Sequence, residues 1–212
     1  MPPVPDDTSQ TLLIAGIVLA AGRSRRMGQP KALLPAAGAS FLRHVIEALR
    51  GGGCDPVLVV VAPPVRVEAR EIARAARDYG AEVVVNPSGE LEQIDSLRTA
   101  LHSLPDSVRA VVVTPVDFPL VRAETTRALV EAYRARRAPI VLPAYRGVHG
   151  HPVLFARDVF RELLTGSLPE GARSVVHAHR AELEEVTVHD EGVLQDVDTP
   201  ADYRRLLETE RT

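Results

Sequence analysis

Leu13-Ile14-Ala15-Gly16-Ile17-Val18-Leu19-Ala20-Ala21-Gly22-Arg23-Ser24-Arg25-Arg26-Met27-Gly28-Gln29-Pro30-Lys31 is the stretch that decides the fold. Its first seven residues are apolar on both faces, the pattern of a strand buried inside a parallel sheet. A turn of small residues and cations follows at once. Backbone amides can approach an anion closely where side chains are small, and arginines and lysine supply charge where those amides converge. The stretch therefore predicts a phosphate cradle at the carboxyl end of a first β-strand. It is not a P-loop, because Lys31 follows Pro30 and precedes Ala32 instead of standing between glycine and Ser or Thr. Nor is it a dinucleotide fingerprint, because Gly22 lacks two further glycines at the required spacing.

Outward from this stretch, short apolar runs recur at 56–61, Glu82–Val85, 109–113 and 139–142, with helical patterns between them. In 65–79, Ala69, Ile72, Ala73 and Ala76 make an apolar stripe while Arg66, Arg70, Arg74 and Arg77 face water. Residues 41–49 read as a helix capped by Ser40 and stopped by Gly51 to Gly53. Residues 125–136 form another, and Thr199 caps a last helix that begins at Pro200, with Asp202 in the capping-box position and an end by Glu208. This rhythm predicts an α/β, Rossmann-like doubly wound, mostly parallel sheet with helices on both faces and ligands at the strands' carboxyl ends. One domain over 12–212 suffices, preceded by a disordered, proline-rich tail at 1–11.

Composition narrows the partners. The chain has 212 residues, a formal net charge of -3 and 45% hydrophobic residues. There is no global basic field, so a nucleic-acid duplex is not an expected partner, and the apolar run at 12–21 is too short to span a membrane. Cys54 is the lone cysteine, which suits packing in a reducing cytoplasm. Of 25 cationic side chains Lys31 is the one lysine, and it falls in the cradle. A compact ammonium fitted to one spot on a phosphate cannot be replaced by a planar guanidinium.

Asp117 stands just past the strand at 109–113, where an acid at the carboxyl edge of the sheet faces the cradle and can hold Mg²⁺. Asp196 and Asp198 lie in a second acidic cluster, Asp196-Val197-Asp198-Thr199-Pro200-Ala201-Asp202. Alternation in an extended segment puts both on one side, and one of them, Asp198 by preference, would complete the metal site. Asp202 reads as a helix-start charge. His177 and His179 sit two apart on different helix faces and are given no role.

The loop Leu19-Ala20-Ala21-Gly22-Arg23-Ser24-Arg25-Arg26-Met27-Gly28-Gln29-Pro30-Lys31 is very similar to the signature loop of the MobA-like nucleotidyltransferases, molybdenum cofactor cytidylyltransferases above all. The resemblance runs over about residues 14–207 and implies a fold of nucleotide-diphospho-sugar transferase type. It implies that the backbone of Leu19, Ala20, Ala21 and Gly22 holds the nucleotide, that Arg26 and Lys31 neutralise the triphosphate, and that Asp117, in a D-x-P turn, binds metal. Asp196 to Asp202 match the family's D-x-D-T-P-x-D element. Asn86 and Ser96 fall where the family surrounds base and ribose. Gly150, His151 and Pro152 match a Gly-His-Pro element on the pterin side. Two positions depart from the pattern: Phe118 replaces the glutamine usual in cytidylyltransferases, and Gln93 to Ser96 replace Gly-Met-Ser-Ser. The resemblance thus implies CMP transfer from CTP to molybdopterin, with release of pyrophosphate and a molybdoenzyme as possible client. The alternatives are GTP or a sugar or polyol phosphate as substrate, or a non-catalytic cofactor carrier.

Overall fold

The apolar run Leu13–Leu19 forms strand β1 at the centre of the sheet in a computed structural model, which describes residues 12–22, 24, 26–88 and 92–209. The expected tail at 1–11 lies outside the described residues, as do Arg23 and Arg25 of the cradle. β1 pairs in parallel with β4 (Val57–Val61) on one side and β6 (Val108–Pro115) on the other. Both neighbours are valine-rich and buried almost throughout, as strands covered on two faces must be. A short hairpin, β2 (Pro35–Ala36) with β3 (Ala39–Ser40), stands apart from the main sheet. β5 is Glu82–Val85, β7 Ile140–Tyr145, β8 Val148–His149, β9 Val153–Ala156 and β10 Glu184–Thr187. The sheet order is β10-β7-β9-β6-β1-β4-β5, with β8 attached to β7.

The helices are α1 (Phe41–Gly51), α2 (Val67–Asp78), α3 (Gln93–Ser103), α4 (Ala123–Arg136), α5 (Phe160–Leu164), α6 (Ala172–Ala178) and α7 (Pro200–Thr209). Alternation along β1 sends Ile14 and Val18 to one face, where Leu42, Val45, Ile46 and Leu49 of α1 pack together with α2 and α4. Ala15 and Ile17 go to the other face, against Ile94, Leu97 and Leu101 of α3 and Phe160 and Leu163 of α5. Each fully buried leucine or isoleucine among them contributes about 2 kcal/mol relative to exposure. The two layers hold the carboxyl ends of β1, β4 and β6 in one row. Ser40 caps α1 as expected, its side chain accepting from the Arg43 amide.

The sheet is mostly parallel, as expected, with two strands running against the rest, the short β8 and β9. β9 lies antiparallel between β6 and β7, so the sheet is mostly but not wholly parallel. A four-residue apolar run says nothing about direction; the hairpin through β8 reverses the chain before β9 and so sets it.

Asp190 is a structural acid that the sequence reading passes over. Only 4% exposed, it accepts hydrogen bonds from the Arg122 amide (2.9 Å) and Thr125 Oγ1 (2.6 Å) at the start of α4. It also accepts from the Gly192 amide at 3.1 Å, tying α4 to the turn that precedes the Asp196–Asp198 segment. Asp190→Ala leaves these donors buried and unpaired, a loss of about 3 kcal/mol. The expected result is a fall in melting temperature of roughly 10 °C, read by circular dichroism. A shift below about 2 °C would show that the network bears little weight.

Candidate functional site

Leu19 and Pro115 end adjacent strands in register, so the loops that follow β1 and β6 face each other across a cleft. Leu19, Ala20, Ala21, Gly22, Ser24 and Lys31 line one side and Asp117 the other, with Gln93 and Ser96 closing the wall. The Ala20 amide still donates to Val60 O at 2.9 Å, which keeps the start of the cradle on the sheet. A single 3-10 turn, Lys31–Leu33, carries the lysine. Its amide donates to Ser24 Oγ at 3.1 Å, joining the two ends of the loop. Ser24, absent from the expected site residues, is therefore the cradle's internal clasp; its place in the quoted motif was the available signal.

Lys31 is 8% exposed, and its Nζ donates to Asp117 Oδ2 at 3.4 Å and to Asp198 Oδ1. Arg26 Nη1 donates to the other oxygen of Asp198, Oδ2. Two of the cradle's cations, Arg26 and Lys31, and the two acids are thus brought together from segments 86 to 172 residues apart along the chain. The Val197 amide donates to Asp117 O at 2.8 Å, which fixes the second acidic segment against the first. The two carboxylates differ in environment. Burial raises the pKa of Asp117, against the opposing pull of Lys31. The hydrogen bond from Lys31 lowers that of Asp198, with burial opposing it. Asp117 Oδ1 is buried with no hydrogen-bond partner.

That orphaned oxygen is the test for a divalent ion, and the residues fit. A hard cation takes carboxylate oxygens, and Asp117 Oδ1, buried without a partner beside Lys31, is an oxygen of that kind. Among the described residues no group of three or more His, Cys, Asp or Glu converges to hold a metal, so phosphate oxygens and water would complete the shell.

Asp196 does not join this group. It is exposed and lines a separate groove with Leu120 and Arg205. Val197 is buried between them, so both acids lie on the outer side of the segment, and Asp198, the preferred one, is the acid that meets Lys31 and Arg26. Asp202 acts as read: its Oδ2 accepts from the amide and hydroxyl of Thr199, both at 2.7 Å, and the Asp202 amide donates back to Thr199 Oγ1. The Thr199 hydroxyl first, then its amide, hold the Asp202 pKa down to about 2. A depressed carboxylate contributes its stability above the unfolded value and loses it as pH falls toward about 2, so this cap is complete at neutral pH. Asp202 Oδ2 also accepts from the Asp198 amide at 3.3 Å, which links the cap to the site.

Asn86 and Ser96 meet as a pair. Asn86 is 1% exposed, donates through Nδ2 to Ser96 Oγ at 3.1 Å, and accepts at Oδ1 from the Ser88 amide. Asn86 is thus a strut behind the cleft, and Ser96 presents its surface. Gln93 and Ile72, not among the expected site residues, also line the wall.

Gly150 packs against the 3-10 turn so closely that a Cβ would lie 2.1 Å from Val193 O. The adjacent His151 amide donates to that same carbonyl at 2.9 Å. The His151 ring packs on Phe118, with centroids 4.6 Å apart. Phe118, the departure from the family pattern, therefore couples the Gly150-His151-Pro152 element to the residue next to Asp117. Burial lowers the His151 pKa to about 4, so the ring is neutral at pH 7, and its Nδ1 is buried without a partner. His177 and His179 lie within hydrogen-bond distance of Glu170 and Glu162, away from the cleft lining. Cys54 is buried, with its thiol pushed up to about 12, as packing alone requires. No helix among the described residues is long and apolar enough to cross a membrane.

Comparison with known proteins finds a match between residues 16–184 and a family model for the MobA-like NTP transferase domain. A Mycobacterium avium protein named a probable molybdenum cofactor guanylyltransferase is 31% identical over 205 residues, covering 94% of this chain and 98% of the relative. A 2-C-methyl-D-erythritol 4-phosphate cytidylyltransferase from Streptomyces avermitilis is 37% identical over 134 residues, covering 61% of this chain and 53% of the relative. Among solved structures, that of Rv0371c from Mycobacterium tuberculosis in complex with manganese is 33% identical, with a TM-score of 0.73, over 93% of this chain and 99% of that one. The fold is accordingly that of the nucleotide-diphospho-sugar transferases.

Proposed function

This chain belongs to the MobA-like NTP transferase family, and we propose that it transfers CMP from CTP to the terminal phosphate of a molybdopterin-type acceptor. One observation carries the reading: Lys31 and Arg26 meet Asp117 and Asp198 at the end of a cleft lined by Leu19 to Gly22. An acceptor phosphate oxygen attacks the α-phosphorus in line. The bond to the β-phosphate oxygen breaks, and its electron pair leaves with pyrophosphate. Positioning and charge neutralisation do most of the work in such a transfer, with no covalent enzyme intermediate. Arg26 and Lys31 neutralise the charge that grows on the leaving group. Ser96, held by Asn86, bounds the nucleoside end. His151, neutral and seated on Phe118, offers a hydrogen bond to the acceptor. Asp117 and Asp198 would hold Mg²⁺, which supplies Lewis-acid neutralisation of the phosphate oxygens; manganese bound to a relative supports a divalent ion.

A second reading, GTP as the nucleotide, is favoured by the relative named a guanylyltransferase, which is matched over nearly the whole chain. A thermal-shift panel of CTP, GTP, ATP and UTP with Mg²⁺ separates the two. A ligand at a hundred times its Kd stabilises by about 2.7 kcal/mol, roughly 5 to 10 °C for a chain of this size. CTP is expected to give the largest shift, and pyrophosphate release with molybdopterin should then follow. A larger shift with GTP moves the assignment to the second reading. No shift with any nucleotide, or binding without pyrophosphate release, sinks the transferase proposal in favour of a carrier.

A further inference from the structure

The two acids that would hold a divalent ion are already neutralised from within the chain. Asp198 gives one carboxylate oxygen to Lys31 and the other to Arg26, while Asp117 gives Oδ2 to Lys31 and leaves Oδ1 buried and unpartnered. These cations are the ones assigned to the triphosphate. They cannot serve both partners at once through the same N–H groups.

Resting on the proposed function, we infer that Lys31 and Arg26 are exchangeable counter-ions of Asp117 and Asp198, and that this exchange couples metal binding to triphosphate binding. A divalent ion arriving alone has to displace both cations and leave them without a partner. Arriving with a triphosphate, it matches the two carboxylates in charge, and the released cations meet the remaining negative charge on the phosphates. Each ligand therefore strengthens the other, and by linkage the factor is the same in both directions.

The side chains suit this exchange. Arg26 is 73% exposed along its side chain, so it can swing without disturbing the core. Lys31 is 10% exposed, yet it carries its charge on a flexible four-carbon stem with rotatable donors. Asp202, which accepts from the Asp198 amide, is already committed to Thr199 and Arg205.

The test is a Mn²⁺ titration of the full chain, reading the free-ion electron paramagnetic resonance signal, with and without inorganic tripolyphosphate. Tripolyphosphate carries no base, so the outcome does not depend on nucleotide choice. Wild type is expected to bind Mn²⁺ about tenfold more tightly with tripolyphosphate than without. Lys31→Met should bind Mn²⁺ alone about tenfold more tightly than wild type and gain little from tripolyphosphate. Arg26→Gln, whose exposed side chain puts folding out of question, should shift the same way by about threefold. Equal affinity for Mn²⁺ alone in wild type and both variants, or no effect of tripolyphosphate on wild type, overturns the exchange while leaving the metal site intact. If Asp117→Asn and Asp198→Asn also leave Mn²⁺ binding unchanged, the carboxylates do not hold the ion and the metal assignment of the proposed function falls with it.

Discussion

Asp117→Asn is expected to lower pyrophosphate release by about a thousandfold, as the loss of a preorganised charge from a nucleotidyl-transfer site does. Its melting temperature should stay level or rise. The two halves of this expectation come from the same fact. Burial raises the Asp117 pKa, and Oδ1 has no hydrogen-bond partner, so the fold disfavours the charged form of this carboxylate. Asparagine keeps the shape and removes the buried charge, so the desolvation cost goes with it. The loss of one contact to Lys31 at 3.4 Å works in the other direction, but Lys31 retains Asp198. A residue kept for stability would show the opposite pattern, with a lowered melting temperature and largely preserved turnover. Circular dichroism and a pyrophosphate assay on one preparation distinguish the two, and turnover within about tenfold of wild type would remove Asp117 from the machinery.

How much of this was legible beforehand follows from what each residue's role depends on. The cradle is local: apolar residues on both faces of β1, then small residues, then cations, all within one short stretch, so a phosphate cradle holding Lys31 was legible from the residues, while the parts given to Leu19 to Gly22 and Arg26 came from the family resemblance. Asp117 was legible because the carboxyl end of a buried strand is a place fixed by topology. The choice between Asp196 and Asp198 was harder, since alternation puts both on one side of an extended segment; only the fold shows that Val197 is anchored to Asp117 O and that Asp198 is the acid paired with Lys31. The direction of β9 and the role of Asp190 were not legible for a similar reason. Both depend on partners far along the chain, and neither a four-residue apolar run nor an Asp-Glu pair before glycine carries that information. Phe118 shows the limit of pattern matching, because its departure from the family turn was visible while its partner, the His151 ring, was not.

Lys31→Arg is expected to lower turnover by about a hundredfold with the fold intact, although it conserves charge. If charge were all that mattered, arginine would serve at this position as it does at every other cationic position of the chain. The structure supplies the reason it should not. The ammonium sits 8% exposed between two carboxylates, close enough to donate to both, on a turn whose amide is clasped by Ser24. A guanidinium is planar and longer, and its fork favours bidentate pairing with one carboxylate over a shared position between two. It would hold Asp198 and leave Asp117, or push the 3-10 turn outward, and a displacement of about 1 Å at such a site costs on the order of a hundredfold. Ala32 seats the turn in the core beside α1 while Lys31 lines the cleft, so with Ala32 unchanged the melting temperature should move little. Steady-state pyrophosphate release together with a thermal melt measures both quantities. Turnover near that of wild type would reduce the lone lysine to an accident of composition; a loss confined to KM would make it a binding contact alone.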